Sequence, residues 1–130
     1  MDLTDEQLAN WLINPIRSIP IKKFYIAELP SDWNNSLHSR CSSTAIKVIA
    51  KPTMLILENN DRVHVKAWVP SNLTNQLNAM QWCKSFTDYC DGKSGGSKDG
   101  TKGQGLGKDV NSIAYGIHEA TRYAEQCLNN

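Results

Sequence analysis

No apolar stretch in the sequence approaches the roughly 18 residues that would cross a bilayer, so a membrane-spanning helix is not expected. The first fifteen residues are acidic and amphipathic, unlike a secretory leader, which places the expected location inside the cell, in cytoplasm or nucleus. Cysteine is sparse: Cys41, Cys83, Cys90 and Cys127 stand singly, without the spacing of a disulfide framework or a zinc pair of pairs. Four reduced thiols and no structural metal are therefore expected. Two glycosylation sequons, at Asn34 and Asn72, have no meaning in an intracellular chain. An excess of one charge is also lacking, since the net charge is +1 over 130 residues. That length and a 40% hydrophobic content suffice for one domain, residues 1–130, with its own core.

The charge that is present is unevenly placed. Residues 1–14 carry three acids and no base; residues 15–68 carry eight bases against four acids; residues 69–130 carry six of each. The positive excess falls on the segment richest in β-formers. It permits a polyanionic partner without demanding one.

Local signals give the expected elements. Thr4-Asp5-Glu6-Gln7 has the form of a capping box, with Leu3 placed to staple onto Leu8, and Asn14-Pro15 should end that helix. Strands are expected over Ile21–Leu29, Thr44–Ala50, Thr53–Glu58 and Arg62–Val69, the last two joined as a hairpin at Asn59-Asn60-Asp61. Residues 30–43 read as a polar loop. After Pro70, a helix capped at Ser71 or Asn72 should carry Leu73, Leu77, Met80, Cys83 and Phe86. A final helix capped by Asp109 should bury Val110, Ile113, Ala114, Ile117, Thr121, Ala124 and Leu128. Between these helices, residues 91–109 hold seven glycines and four lysines, the composition of a flexible loop. The expected fold is α+β: a small antiparallel sheet or partial OB-like β-barrel, flanked by an N-terminal helix and two C-terminal helices.

Catalytic motifs are not met. A phosphate-binding loop ending at Gly107-Lys108 would need glycine where Lys102 stands and Ser or Thr where Asp109 stands. His38, His64 and His118 have no motif linking them to a thiol, so neither catalytic residues nor a cofactor are expected. The segment Arg62–Val69 is more informative. Its valines and Ala67 alternate strictly with Arg62, His64, Lys66 and Trp68, which gives one face cations for phosphate and an indole for base stacking. Lys47 and Tyr25 on neighbouring strands would extend that face, and Lys93, Lys98 and Lys102 would add charge from the glycine-rich loop.

Over residues 20–77 the chain resembles OB-type single-stranded-DNA-binding domains: a first strand, the run TMLILEN, a short turn, and a strand ending VKAWVPSNLTNQL. Asn72 stands where that pattern carries a basic residue. The resemblance implies a non-enzymatic module that binds single-stranded DNA or RNA. The alternative is a protein-interaction module, or an inhibitor of another macromolecule, anchored by Trp33, Trp82 or Tyr115 and open to self-association.

Overall fold

The computed structural model describes residues 3–17 and 23–128, and in them an α+β fold is built on one open, five-stranded, mixed sheet. Helix α1 (Asp5–Arg17) leads to β1 (Tyr25–Glu28), α2 (Asn35–Val48), β2 (Thr53–Asn59) and β3 (Arg62–Trp68). A 3-10 turn at Ser71–Leu73 precedes α3 (Ala79–Thr87), β4 (Gly92–Gly96) and β5 (Lys102–Gly107). A second 3-10 turn, Val110–Ser112, opens into α4 (Ile113–Leu128). The strand order is β1-β2-β3-β5-β4, with β1 parallel to β2 and every other pairing antiparallel. Helices at both ends of the chain flank the sheet as expected, and five strands left open are consistent with a partial OB-like arrangement.

The capping box forms as read: the Thr4 amide donates to Gln7 Oε1 at 2.8 Å and the Gln7 amide to Thr4 Oγ1 at 3.1 Å. Pro15 does not end α1, which continues to Arg17. A proline near a helix end removes one amide donor but leaves the preceding turns bonded. The β2–β3 hairpin also forms as read, with Asn60 and Asp61 both left-handed (φ 54° and 57°), the conformation a two-residue hairpin turn requires. The expected first strand shortens to Tyr25–Glu28, and its reading at residues 21–22 lies outside the described residues.

Three expectations are corrected. Residues 30–43 and the strand at Thr44–Ala50 are largely one helix, α2. Asn34 caps it by accepting from the Leu37 amide at 2.9 Å, and Leu37, Cys41 and Ala45 recur every four residues on its buried face. The β-branched run around Ile46 and Val48 hid this spacing. The helix placed after Pro70 begins only at Ala79, where the Asn78 side chain accepts from the Gln81 amide at 3.1 Å. The third correction is the largest: residues 91–109 contain β4 and β5, and β5 lies inside the sheet, between β3 and β4.

Both faces of the sheet are covered at its β1–β2 side. Met54, Ile56, Val63, Val65 and Ala67 pack with Trp82 and Phe86 of α3 and Ala120 and Ala124 of α4. On the other face Leu55 and Leu57 pack with Leu8 and Leu12 of α1, Leu37 and Cys41 of α2, and Trp33 from the connection ahead of α2. The buried stripe of α4 is Ile113, Gly116, Ala120, Ala124 and Leu128. It is turned from the expected one because Gly116 admits Phe86: a methyl there would lie 2.9 Å from the Phe86 ring, and Ala114 is exposed instead. No helix among the described residues is long and apolar enough to cross a membrane.

Cys41, Cys83 and Cys90 are buried, and burial pushes their thiols up to about 12, 12 and 11 respectively. Thiolate is the reactive form, so in the native protein half-buried Cys127 should react with a thiol probe well before the other three. Four thiols should titrate once the chain is denatured without reductant. Fewer than four would reveal a disulfide, and four fast thiols in the native state would show that the core is open.

Candidate functional site

Helix α2 packs over β2 and the near side of β3, while Lys93 of β4 and Lys102, Gln104 and Leu106 of β5, on the same face, are exposed beside it. The rows of that face follow from the register. His64 lies beside Leu106, which lies beside Lys93; Lys66 lies beside Gln104, which lies beside Gly95; Trp68 lies beside Lys102. Strand neighbours share a face, so each row presents its side chains together.

Against this floor α2 forms a wall, and a cleft runs between them in two chambers. The first, about 410 Å³, is lined by Asn35, His38 and Ser39 of α2 and by His64, Lys66, Lys93, Gln104 and Leu106 of the sheet. The second, about 220 Å³, is lined by Ser42, Ser43 and Ile46 opposite Trp68 and Lys102. Ser39, Lys66 and Gln104 border both, so the chambers are continuous. Leu106, 47% exposed, contributes an apolar contact at the outer end.

The glycines of β5 account for how closely the opposite face of the sheet is packed. Gly103, Gly105 and Gly107 alternate with Lys102, Gln104 and Leu106; the first two face α3 and Gly107 faces Cys90 just beyond it. A Cβ on Gly103 would meet the Ala79 carbonyl carbon at 2.7 Å, and one on Gly105 the Thr87 methyl at 2.6 Å. Without side chains at these positions, α3 sits directly on the backbone of β5.

His38 is the most unusual group bordering the cleft. It is 1% exposed, and its Nε2 lies 2.9 Å from the Leu55 carbonyl oxygen. A carbonyl only accepts, so Nε2 carries the proton and Nδ1 is left as an acceptor. That Nδ1 has no hydrogen-bond partner. Burial lowers the His38 pKa to about 4, with Lys66 and His64 adding to the effect against the Leu55 bond, so the ring is neutral at physiological pH. His64 is also shifted down, by burial and then by Lys66.

The cleft thus gathers His64, Lys66, Trp68, Lys93 and Lys102 from the residues singled out in the sequence. Four others lie elsewhere. Lys47, expected on a strand, is on α2 and faces out beside Asp5 and Arg40, because its segment is helical. Tyr25 shares the Trp68 row but stands on β1 with Thr53 between them, off the cleft. Arg62 sits at the hairpin end, its guanidinium donating to the Asp61 carbonyl at 3.1 Å. Lys98 lies in the β4–β5 turn, where Asp99 accepts from Ser97 at 2.6 Å and from Thr101 at 2.7 Å, bonds that hold its carboxyl down at about 2. Of the proposed protein anchors, Trp33 and Trp82 are buried, Trp82 donating to the Ala120 carbonyl at 3.0 Å, while Tyr115 is 55% exposed beside Tyr89. Sequence reading missed His38, Ser39 and Gln104. The period-two alternation of glycine with Lys102, Gln104 and Leu106 was the available signal. Among the described residues no three His, Cys, Asp or Glu side chains gather where they could hold one metal ion.

No family model matches the sequence, and no curated protein matches it. Solved structures do share the fold. The chain is similar to the C-Ala domain of alanyl-tRNA synthetase from Aquifex aeolicus, at TM-score 0.59 and 12% identity, over 78% of this chain and 89% of that one. It is also similar to RecJ from Thermus thermophilus, at TM-score 0.60 and 15% identity, over 92% of this chain but 18% of RecJ. A manganese-bound structure of the exonuclease RecJ matches at TM-score 0.60 and 13% identity, over 97% of this chain and 31% of that one.

Proposed function

We propose that the chain binds single-stranded nucleic acid in the cleft between α2 and the β3–β5–β4 half of the sheet, without catalysing a reaction on it. The observation that carries this reading is the placement of lysine in three successive rows, Lys93, Lys66 and Lys102, with Trp68 closing one end. Alternate residues of a strand are about 7 Å apart, so the three rows span about 14 Å. A cationic track of that length with an aromatic platform suits a backbone of a few nucleotides with one base stacked. The α2 wall favours a single strand, whose bases are free to splay, over a duplex. Among the described residues that line the cleft none is Asp, Glu or Cys, which favours binding over hydrolysis. The fold neighbours named above, a tRNA synthetase domain and an exonuclease, are in keeping with such a partner.

Anisotropy titration with single-stranded and duplex oligonucleotides at several salt concentrations tests this. Neutralising three phosphates of a single strand should give a slope of log K against log salt near −2. Lys66→Ala, Lys93→Ala and Lys102→Ala should each flatten the slope by about 0.7. Trp68→Ala should leave the slope alone and weaken binding by about 1–3 kcal/mol, the scale of one stacked base. Lys47→Ala, off the cleft, should change nothing. Equal affinity for duplex, or lysine variants that bind as wild type, would sink the reading.

A protein-binding surface is the second reading. It rests on the exposed pair Tyr89 and Tyr115, whose ring centroids lie 4.9 Å apart. A partner or second copy docked there would leave the cleft free, so Tyr115→Ala would lower that affinity and spare oligonucleotide binding.

A further inference from the structure

We infer that the second chamber is a base-reading pocket that favours adenine, with the base stacked on Trp68 and its edge paired to the side-chain amide of Gln104. This rests on the cleft being the strand-binding site, as proposed above, and adds to it the base that the strand presents there.

At about 220 Å³ the chamber falls below the roughly 300–1,000 Å³ of sites that hold whole small molecules, so it suits one ring system with the sugar and phosphate left outside. Its apolar surface comes from two sides, Trp68 on the sheet and Ile46 on α2, both half-buried and so within reach of a ligand. Lys66 and Lys102 meet phosphate in the reading above. That leaves Gln104 and the hydroxyls of Ser39, Ser42 and Ser43 to meet the polar edge of a base.

Of these, Gln104 can discriminate. A serine hydroxyl turns to suit a donor or an acceptor, whereas an amide holds one of each side by side. Gln104 is exposed, and its amide has no hydrogen-bond partner among the described residues. Its neighbour on β4 is Gly95, where even a Cβ would meet nothing within 4 Å, so the amide is free to turn toward the chamber. Trp68 pairs with Lys102 and Lys66 with Gln104, which sets Gln104 diagonally across from the indole. Diagonal neighbours on antiparallel strands lie within reach of aromatic and long side chains. A base stacked on Trp68 therefore brings its edge over Gln104. Adenine offers an amide the matching donor and acceptor on both its Watson–Crick and Hoogsteen edges, because its amino group lies between N1 and N7. Guanine carries two acceptors on the Hoogsteen edge, and the pyrimidines have no ring acceptor there, so each of them matches on the Watson–Crick edge alone.

The test uses fluorescence anisotropy at low salt with four labelled deoxy hexamers, each of one base: adenine, purine lacking the 6-amino group, thymine and cytosine. Wild type should bind the adenine strand about tenfold more tightly than the other three, the scale of one bidentate pair. The amino-free purine separates edge pairing from stacking. Gln104→Met keeps the length of an exposed side chain and removes the amide, so it should bind the adenine strand no better than the amino-free one. Equal binding of those two strands by wild type, a thymine or cytosine strand that binds as tightly as adenine, or an adenine preference that survives in Gln104→Met would each overturn the inference. Hexamers that bind in a salt-dependent way without preference would leave the cleft a strand site and remove only the base reading. If no hexamer binds, the strand-site reading falls and takes the inference with it.

Discussion

Replacing residues 92–108 with a short Gly-Ser linker should abolish folding. The segment contributes β4 and β5, and β5 is paired to β3 from Val63 with Gly107 to Trp68 with Lys102. Its removal would strip the sheet back to β3 and leave α3, which carries Trp82, Cys83 and Phe86, without most of the surface it packs on. The whole stability of a domain this size is about 5–15 kcal/mol, and losing two of five strands with one helix interface exceeds that. Point changes grade the effect. Gly103→Ala would push a methyl into the Ala79–Met80 backbone, 2.7 Å from the Ala79 carbonyl carbon and 3.0 Å from the Met80 nitrogen, and should cost about 1–3 kcal/mol. Gly95→Ala meets nothing within 4 Å and should be close to neutral. Urea unfolding of the three variants measures all of this. A shortened protein that still unfolds cooperatively would show that the hairpin is dispensable.

The same segment marks where the sequence was legible and where it was not. Glycine has low strand propensity, so KGQGLG reads as loop by composition. Its alternation matters only once α3 is known to lie on it, and α3 belongs to a different part of the chain. The neighbouring hairpin needed no such knowledge. Asn60 and Asp61 supply the turn, and the valines of β3 alternate with His64, Lys66 and Trp68, so the strand, its core face and the central part of the cleft could be read directly. Helix α2 was missed for a different reason. Leu37, Cys41 and Ala45 keep helical spacing through residues that look like loop, while Ile46 and Val48 look like strand. That error carried a second one, because a parallel β1–β2 pair requires a crossover of this kind, and without it the sheet was expected to be antiparallel. It also misplaced Lys47 and concealed the wall to which His38 and Ser39 belong. Lys93 and Lys102 were singled out as charges on a mobile arm and instead occupy sheet rows beside Leu106 and Trp68.

Between pH 6.5 and about 4 the fold should lose stability through His38. In the unfolded chain this imidazole titrates near 6.5, while in the folded chain burial, followed by the charges of Lys66 and His64, brings it to about 4. The Leu55 carbonyl works the other way and does not offset the loss of water. Across this window the unfolded state therefore binds more protons, and stability rises with pH. The contribution is complete above 6.5 and declines as pH falls, until the folded form takes up its own proton near 4. A shift from 6.5 to about 4 corresponds to about 3 kcal/mol at 1.36 kcal/mol per unit. His64, lowered from the same ordinary value, adds loss of the same sign. The carboxylates that titrate at the lower end of the window are common to every variant and cancel in a difference. His38→Gln, which keeps a donor for Leu55 and has no proton to gain, should flatten the curve, and His64→Gln should flatten it less. Urea unfolding at half-unit steps of pH gives both differences. A wild-type profile level from 6.5 to 4.5, or a His38→Gln profile as steep as wild type, would mean that His38 takes up its proton in the folded state at little cost. The ring would then be charged in the folded protein at mildly acidic pH, beside Lys66 and His64.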